Sequence, residues 1–172
     1  MSLAIGVVLA SSTLGASAAT ASRRSSDHST AQAVASGKYG SFVFNGPIVG
    51  TLRPLATTCG ASKATTSVEF IWFGNTPGLK GVPPKSNIAM EIDLGDTGYG
   101  RAGRFRNVVG RPPYLAFSAE GIGTKDISWR SLSGSYRTAK KGASGSIDVT
   151  MAPTGTTKGG RLTIRGSWRN CA

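Results

Sequence analysis

The chain is poor in the side chains that enzymes use. It has one histidine, His28, in a tract of Ser, Ala and Thr near its start, and none from Lys38 onward. A Ser-His-Asp triad or a Cys-His dyad therefore lacks its base in the region that folds. Only two cysteines are present, Cys59 and Cys171, so a zinc site of His and Cys ligands is excluded. No metal, cofactor or catalytic residue is expected. Carboxylates are scarce, 8 Asp and Glu against 20 Lys and Arg. No Gly-rich phosphate loop stands between a strand and a helix. No repeat recurs at a fixed period. For nucleic acid there is no recognised motif, and aromatic residues are not interleaved with the basic ones as a stacking platform needs. A permanent transmembrane helix is not expected either, because the apolar run Leu3 to Leu14 is too short to span a bilayer.

That apolar run reads instead as a signal peptide over residues 1–21. Ala16-Ser17-Ala18 and Ala19-Thr20-Ala21 both offer the small-x-small cleavage pattern, although no Lys or Arg precedes Arg23. Residues 22–37 have no periodicity and too little apolar surface to offset their ordering entropy, which makes them a disordered tail. Residues 38–172 form one domain. Export suits the cysteine count, since an even pair in a secreted domain reads as a disulfide, here Cys59 with Cys171. A bridge closing a loop on the order of 100 residues contributes about 4–5 kcal/mol in the chain-entropy account.

The 24 glycines and the low charged fraction of 16% suit short strands and tight turns rather than long helices. The clearest element is the last hairpin. Ile147, Val149 and Met151 alternate with polar residues, and so do Leu162, Ile164 and Trp168, which is the period of half-buried strands. Earlier strands are expected at Tyr39–Phe44, Ile48–Arg53, Ser67–Phe73, Ile88–Leu94 and Tyr114–Ser118. Two more are expected at Ile127–Leu132 and Ser133–Thr138, and Phe105–Val109 is a candidate for a further short one. Ser67–Phe73 has apolar residues at both parities, which points to a central strand covered on both faces. Gly95–Pro113 reads as a glycine-rich loop, and no helix is expected in the mature domain. The fold class is all-β: an antiparallel sandwich or flattened barrel of about eight or nine strands with one disulfide.

The net charge is +12 and the pI is near 10.4, so anionic partners or surfaces are expected. Arg161, Arg165 and Arg169 recur at even spacing, which places them on the outer face of the last strand. Arg130 and Arg137 join them from neighbouring strands. Such a stripe would hold an anionic wall polymer or an anionic lipid surface; a generally cationic, solvated coat is the plainer alternative. Arg101, Arg104, Arg106 and Arg111 cluster in the glycine-rich segment. Glu91 and Asp93 share one strand face about 7 Å apart. That spacing would suit a glycosidase pair, and an ordinary solvated face is the simpler reading. Asp93 and Asp96 resemble a calcium loop only faintly; a turn with Asp as its hydrogen-bonding residue accounts for them. Trp72, Trp129 and Trp168 would make a sugar platform if exposed, but such rings more often belong to the core.

Gly50-Thr51-Leu52 before Thr58-Cys59-Gly60, Leu132-Ser133-Gly134-Ser135-Tyr136, Gly145-Ser146-Ile147-Asp148-Val149 and Gly166-Ser167-Trp168 before Cys171 resemble small secreted β-proteins of high-GC Gram-positive bacteria, a group of uncharacterised function. The resemblance covers Lys38 to Ala172. It implies a signal peptide, a β-rich domain and one disulfide, and it carries over no catalytic residue. The expectation is a monomeric, secreted or envelope-associated, non-enzymatic binding module for an anionic partner. A secreted hydrolase using surface carboxylates and a carbohydrate-binding module are the alternatives.

Overall fold

The computed structural model describes residues 38–54, 59–73, 78–121 and 125–171. The expected signal peptide and tail lie outside these residues, as does the side chain of Cys59. Eleven strands form: β1 (Gly40–Asn45), β2 (Val49–Leu52), β3 (Cys59–Ser62), β4 (Ser67–Trp72), β5 (Leu79–Lys80) and β6 (Asn87–Asp93), then β7 (Gly103–Arg106), β8 (Tyr114–Glu120), β9 (Ile127–Thr138), β10 (Gly145–Pro153) and β11 (Leu162–Trp168). A short helix α1 (Gly95–Gly100) and a 3-10 turn at Lys140–Gly142 complete the described elements.

The strands belong to one antiparallel sheet, in the order β3-β4-β6-β8-β9-β10-β11-β1-β2-β5, with β7 also on β9. This is not a sandwich of two sheets. The sheet curls on itself into a half-barrel, so strands far apart in the order face each other. Phe42 of β1 and Phe70 of β4 meet edge to face at 5.0 Å. Trp72 Nε1 donates to the carbonyl of Arg53, just beyond β2, at 3.2 Å.

The concave face carries the core. Ile147, Val149, Met151, Leu162, Ile164 and Trp168 all turn inward, as their alternation requires. Full burial of each such side chain contributes about 1.5–3 kcal/mol. Trp168 stands at the centre, stacked 6.5 Å from Phe42 and edge-on to Phe70 at 6.0 Å. Its Nε1 donates to the carbonyl of Gly142 at 2.7 Å, so the one polar atom of the ring has a partner where water cannot reach it.

Four expectations are corrected. Among the described residues the strand count is eleven rather than eight or nine, because β3 and β5 are too short to show alternation. Ile127–Leu132 and Ser133–Thr138 are one continuous strand, β9. Its Gly134 has φ +140°, and a Cβ there would lie 2.6 Å from Val149 Cα. Gly95–Pro113 is not all loop: it holds α1 and β7, with β7 starting two residues before the short strand expected there. β4 is covered on one face only, since Phe73 just after it is 77% exposed while Val68, Phe70 and Trp72 are buried. Its second apolar parity marks the convex side of a strand next to the sheet edge.

β9 organises the convex face. Its C-terminal half pairs with β7 and its N-terminal half with β8, both on the flank opposite β10. Residues 107–113 bulge out between these two short strands. Asn107 anchors the bulge: its Oδ1 accepts from the hydroxyls of Ser131 and Tyr136, the latter at 2.9 Å. Burial pushes the Tyr136 phenol well above its ordinary range, so it stays a donor. Among the described residues no helix is long and apolar enough to cross a membrane.

Candidate functional site

Register brings arginines together that the sequence holds far apart. Arg104 of β7 lies directly opposite Arg137 of β9. Arg137 lies opposite Ser146 of β10, and Ser146 opposite Ser167 of β11. One row along, Arg106 faces Ser135, Ser135 faces Asp148, and Asp148 faces Arg165. All the side chains in these rows except Ser146 are exposed, on the convex face. Between them lies a shallow depression of about 480 Å³, lined by Arg104, Arg106, Ser135, Arg137, Ser146 and Asp148 among others.

The charges here are unbalanced. Directly opposed residues on antiparallel strands have Cβ atoms about 4.5–5.5 Å apart, and like charges there are destabilising. Asp148 is the carboxylate of the depression, and Arg165 Nε already holds its Oδ1 at 2.9 Å. None of the described carboxylates is in ion-pair range of Arg104, Arg106 or Arg137. The arrangement offers three guanidinium groups and several hydroxyls to a ligand with several negative oxygens.

Of the residues expected to form a basic stripe, Arg137 joins the depression, while Arg161, Arg165, Arg169 and Arg130 do not converge on it. Arg161, Arg165 and Arg169 all point outward, yet a step of four residues along a strand is about 13 Å. Arg169 Nε donates to the carbonyl of Lys38 at 3.1 Å. Arg137 reaches this face two strands from β11. Arg130 is also exposed on β9, but it sits across the sheet bulge, 3.9 Å above the Tyr114 ring. It belongs with the carboxylates. The short strand expected from Phe105 includes Arg106 but leaves Arg104 in the loop, although the Arg-Phe-Arg alternation is a strand signal.

The carboxylates form a second patch. Glu91 and Asp93 do share the outer face of β6, and Glu91 also lies directly opposite Glu69 of β4. Desolvation, then Glu69 and Asp93, push the Glu91 carboxyl above its ordinary range, against smaller opposing pulls from Ser67 and Arg130. Asp93 Oδ1 accepts from the Gly95 amide at 2.8 Å, the hydrogen-bonded turn rather than a calcium loop. Among the described residues no group of His, Cys, Asp and Glu is placed to hold a metal ion. Trp72, Trp129 and Trp168 are 6%, 2% and 2% exposed, so they form no sugar platform.

The chain matches no family model, no curated protein and no solved structure.

Glu91 allows a pH prediction. A carboxyl whose folded pKa is raised binds its proton more tightly in the folded chain. That stability is fully present below the unfolded value and is lost as pH rises through the folded one. Glu91→Gln is therefore expected to stabilise the domain at neutral pH by about 0.2–1 kcal/mol, the range for cross-strand pairs. The gain should shrink as the pH falls through the raised folded value and be gone below the unfolded one. Urea midpoints at pH 7 and pH 4 measure it; an equal gain at both would refute the like-charge account.

Proposed function

We propose that this chain is an exported, non-enzymatic binding module that holds an anionic partner on the convex face of β7, β9, β10 and β11. The observation that carries this reading is the Arg104–Arg137 cross-strand pair, with Arg106 beside it and none of the three ion-paired among the described residues. An oxyanion in the depression turns this repulsion into attraction, and the net charge of +12 steers it there.

Titration calorimetry with inorganic polyphosphate tests the reading. Replacing Arg104, Arg106 and Arg137 with Gln is expected to weaken binding on the order of a hundredfold, at about 1 kcal/mol per guanidinium. Replacing Arg161, Arg165 and Arg169 should cost less, because Arg165 is turned to Asp148 and Arg169 to the Lys38 carbonyl. Affinity should also fall steeply with salt, since exposed charges are screened over about 10 Å at 0.1 M. Equal losses from the two triple variants, or binding indifferent to salt, would leave only a cationic coat.

The Cys59–Cys171 bridge belongs to the same reading. Cys171 is buried, its amide donates to the Ala143 carbonyl at 3.0 Å, and no free cysteine stands among the described residues. Next to Ala143, a Cβ on Gly142 would run into Val68 of β4 and come within 3.9 Å of Ala61 of β3, the strand that Cys59 begins. Intact mass should rise by two hydrogens, about 2 Da, on reduction. Thiol titre on the unreduced native protein would disprove the bridge.

A further inference from the structure

We propose that the anionic partner is a lipid bilayer surface, and that the bulge between β7 and β8 is the point that enters it. This rests on the reading of the basic face above and names the source of the anion.

Val108 and Val109 are 55% and 70% exposed, side by side at the tip of the bulge. The tip is a tight turn: Val108 bridges to Arg111, whose amide donates to the Val108 carbonyl at 3.1 Å, and Gly110 takes φ +80°. Both ends are fixed. The Asn107 amide donates to the Gly134 carbonyl at 3.0 Å, while its side chain accepts from Ser131 and Tyr136. On the other side Pro113 is buried, and Pro112 lies where a Cβ on Gly95 would come within 2.8 Å. The turn therefore holds two valines out in water.

The surroundings of that tip are cationic. Arg106 immediately precedes Asn107, Arg104 lies two residues before it on the same outward face, and Arg111 closes the turn; all three are exposed. No described carboxylate is in ion-pair range of any of them. An apolar tip ringed by guanidinium groups matches the boundary of an anionic bilayer. The valines enter the headgroup–acyl boundary and the arginines stay at the phosphates. A polyanion dissolved in water satisfies the arginines but gives the valines nothing apolar. The combination of the two selects a lipid surface.

Co-sedimentation of the full chain with vesicles tests this, using phosphatidylglycerol mixed with phosphatidylcholine, and phosphatidylcholine alone. The chain should partition onto the mixed vesicles and not onto the neutral ones. Val108→Ser with Val109→Ser is expected to lower that partitioning about tenfold or more, while polyphosphate binding is unchanged. The Arg104, Arg106 and Arg137 to Gln variant should lower both. As a second readout, the Val109→Trp variant should show a blue-shifted emission on the mixed vesicles. Serine variants that partition like the parent chain, or a Val109→Trp variant whose added emission stays solvent-like, would overturn the proposal. Binding to polyphosphate without binding to vesicles also overturns it and leaves the anion-binding reading intact. Binding to neither overturns both. A tip that serves a protein partner instead leaves the vesicles unbound.

Discussion

Trp168→Ala is expected to destabilise the domain by about 3–5 kcal/mol, as deletions of large buried rings do. Two losses combine. The indole leaves a cavity between Phe42 and Phe70, rings that come from opposite parts of the sheet and hold its curl closed. It also leaves the buried Gly142 carbonyl without its donor, a penalty of about 1–3 kcal/mol by itself. Trp168→Phe weighs the two, since it removes the donor but leaves a much smaller cavity than alanine does. A urea titration measures both variants; a fall in midpoint with an unchanged slope shows that stability alone has changed. A loss below about 1 kcal/mol for the alanine variant would mean that the sheet closes without this ring.

The second large effect comes from the opposite change, adding atoms. Gly166 occupies an inward position of β11, between Ile164 and Trp168, where parity calls for an apolar side chain. None fits. A Cβ there would overlap the Ser41 carbonyl and lie 2.5 Å from Phe42 Cδ1 and 2.7 Å from Phe42 Cα. Gly166 is what lets β1 and β11 sit with the Phe42 ring laid over the ladder. Gly166→Val is expected to exceed the about 1–3 kcal/mol typical of overpacking, because two of the obstacles are backbone atoms that cannot rotate away. Gly60→Ala is the control. It sits on the edge strand β3 with nothing within 4 Å of its Cβ position, so its effect should stay within about 0.5 kcal/mol. Melting curves of the two variants side by side provide the comparison; similar midpoints would show that β1 can shift to make room.

The sequence was most informative where one strand met the core by itself. Ile88, Met90 and Ile92 announced the inward face of β6, and Leu162, Ile164 and Trp168 that of β11, because period two is a local property. β3 and β5 stayed hidden for the converse reason: Cys-Gly-Ala-Ser and Leu-Lys are too short to show a period. The two apolar parities around Ile71 and Phe73 misled, since exposure of Phe73 depends on where β4 falls in the sheet order. The site failed for a deeper reason. Arg104 and Arg137 become neighbours only through the register of β7 on β9, and Glu69 and Glu91 only through that of β4 on β6. Spacing along the chain carries no information about either pairing. The stripe on β11 was legible as a face and took in Arg137 from β9, yet it left out Arg104 and Arg106, which lie beside Arg137.

The position of β1 also fixes when the fold can exist. Gly40 pairs with Trp168, and the whole of β1 is laid down between β2 and β11. While the chain is being made, one side of β1 has no strand to bond to until β11 has emerged. At about 5–20 residues per second that wait is roughly 6–25 s. β10 waits for the same partner, and the aromatic cluster of Phe42, Phe70 and Trp168 cannot assemble before it arrives. Such long-range pairing makes folding slow and late. Until then, whatever meets the nascent polypeptide meets β1 without its β11 partner and the aromatic cluster unformed.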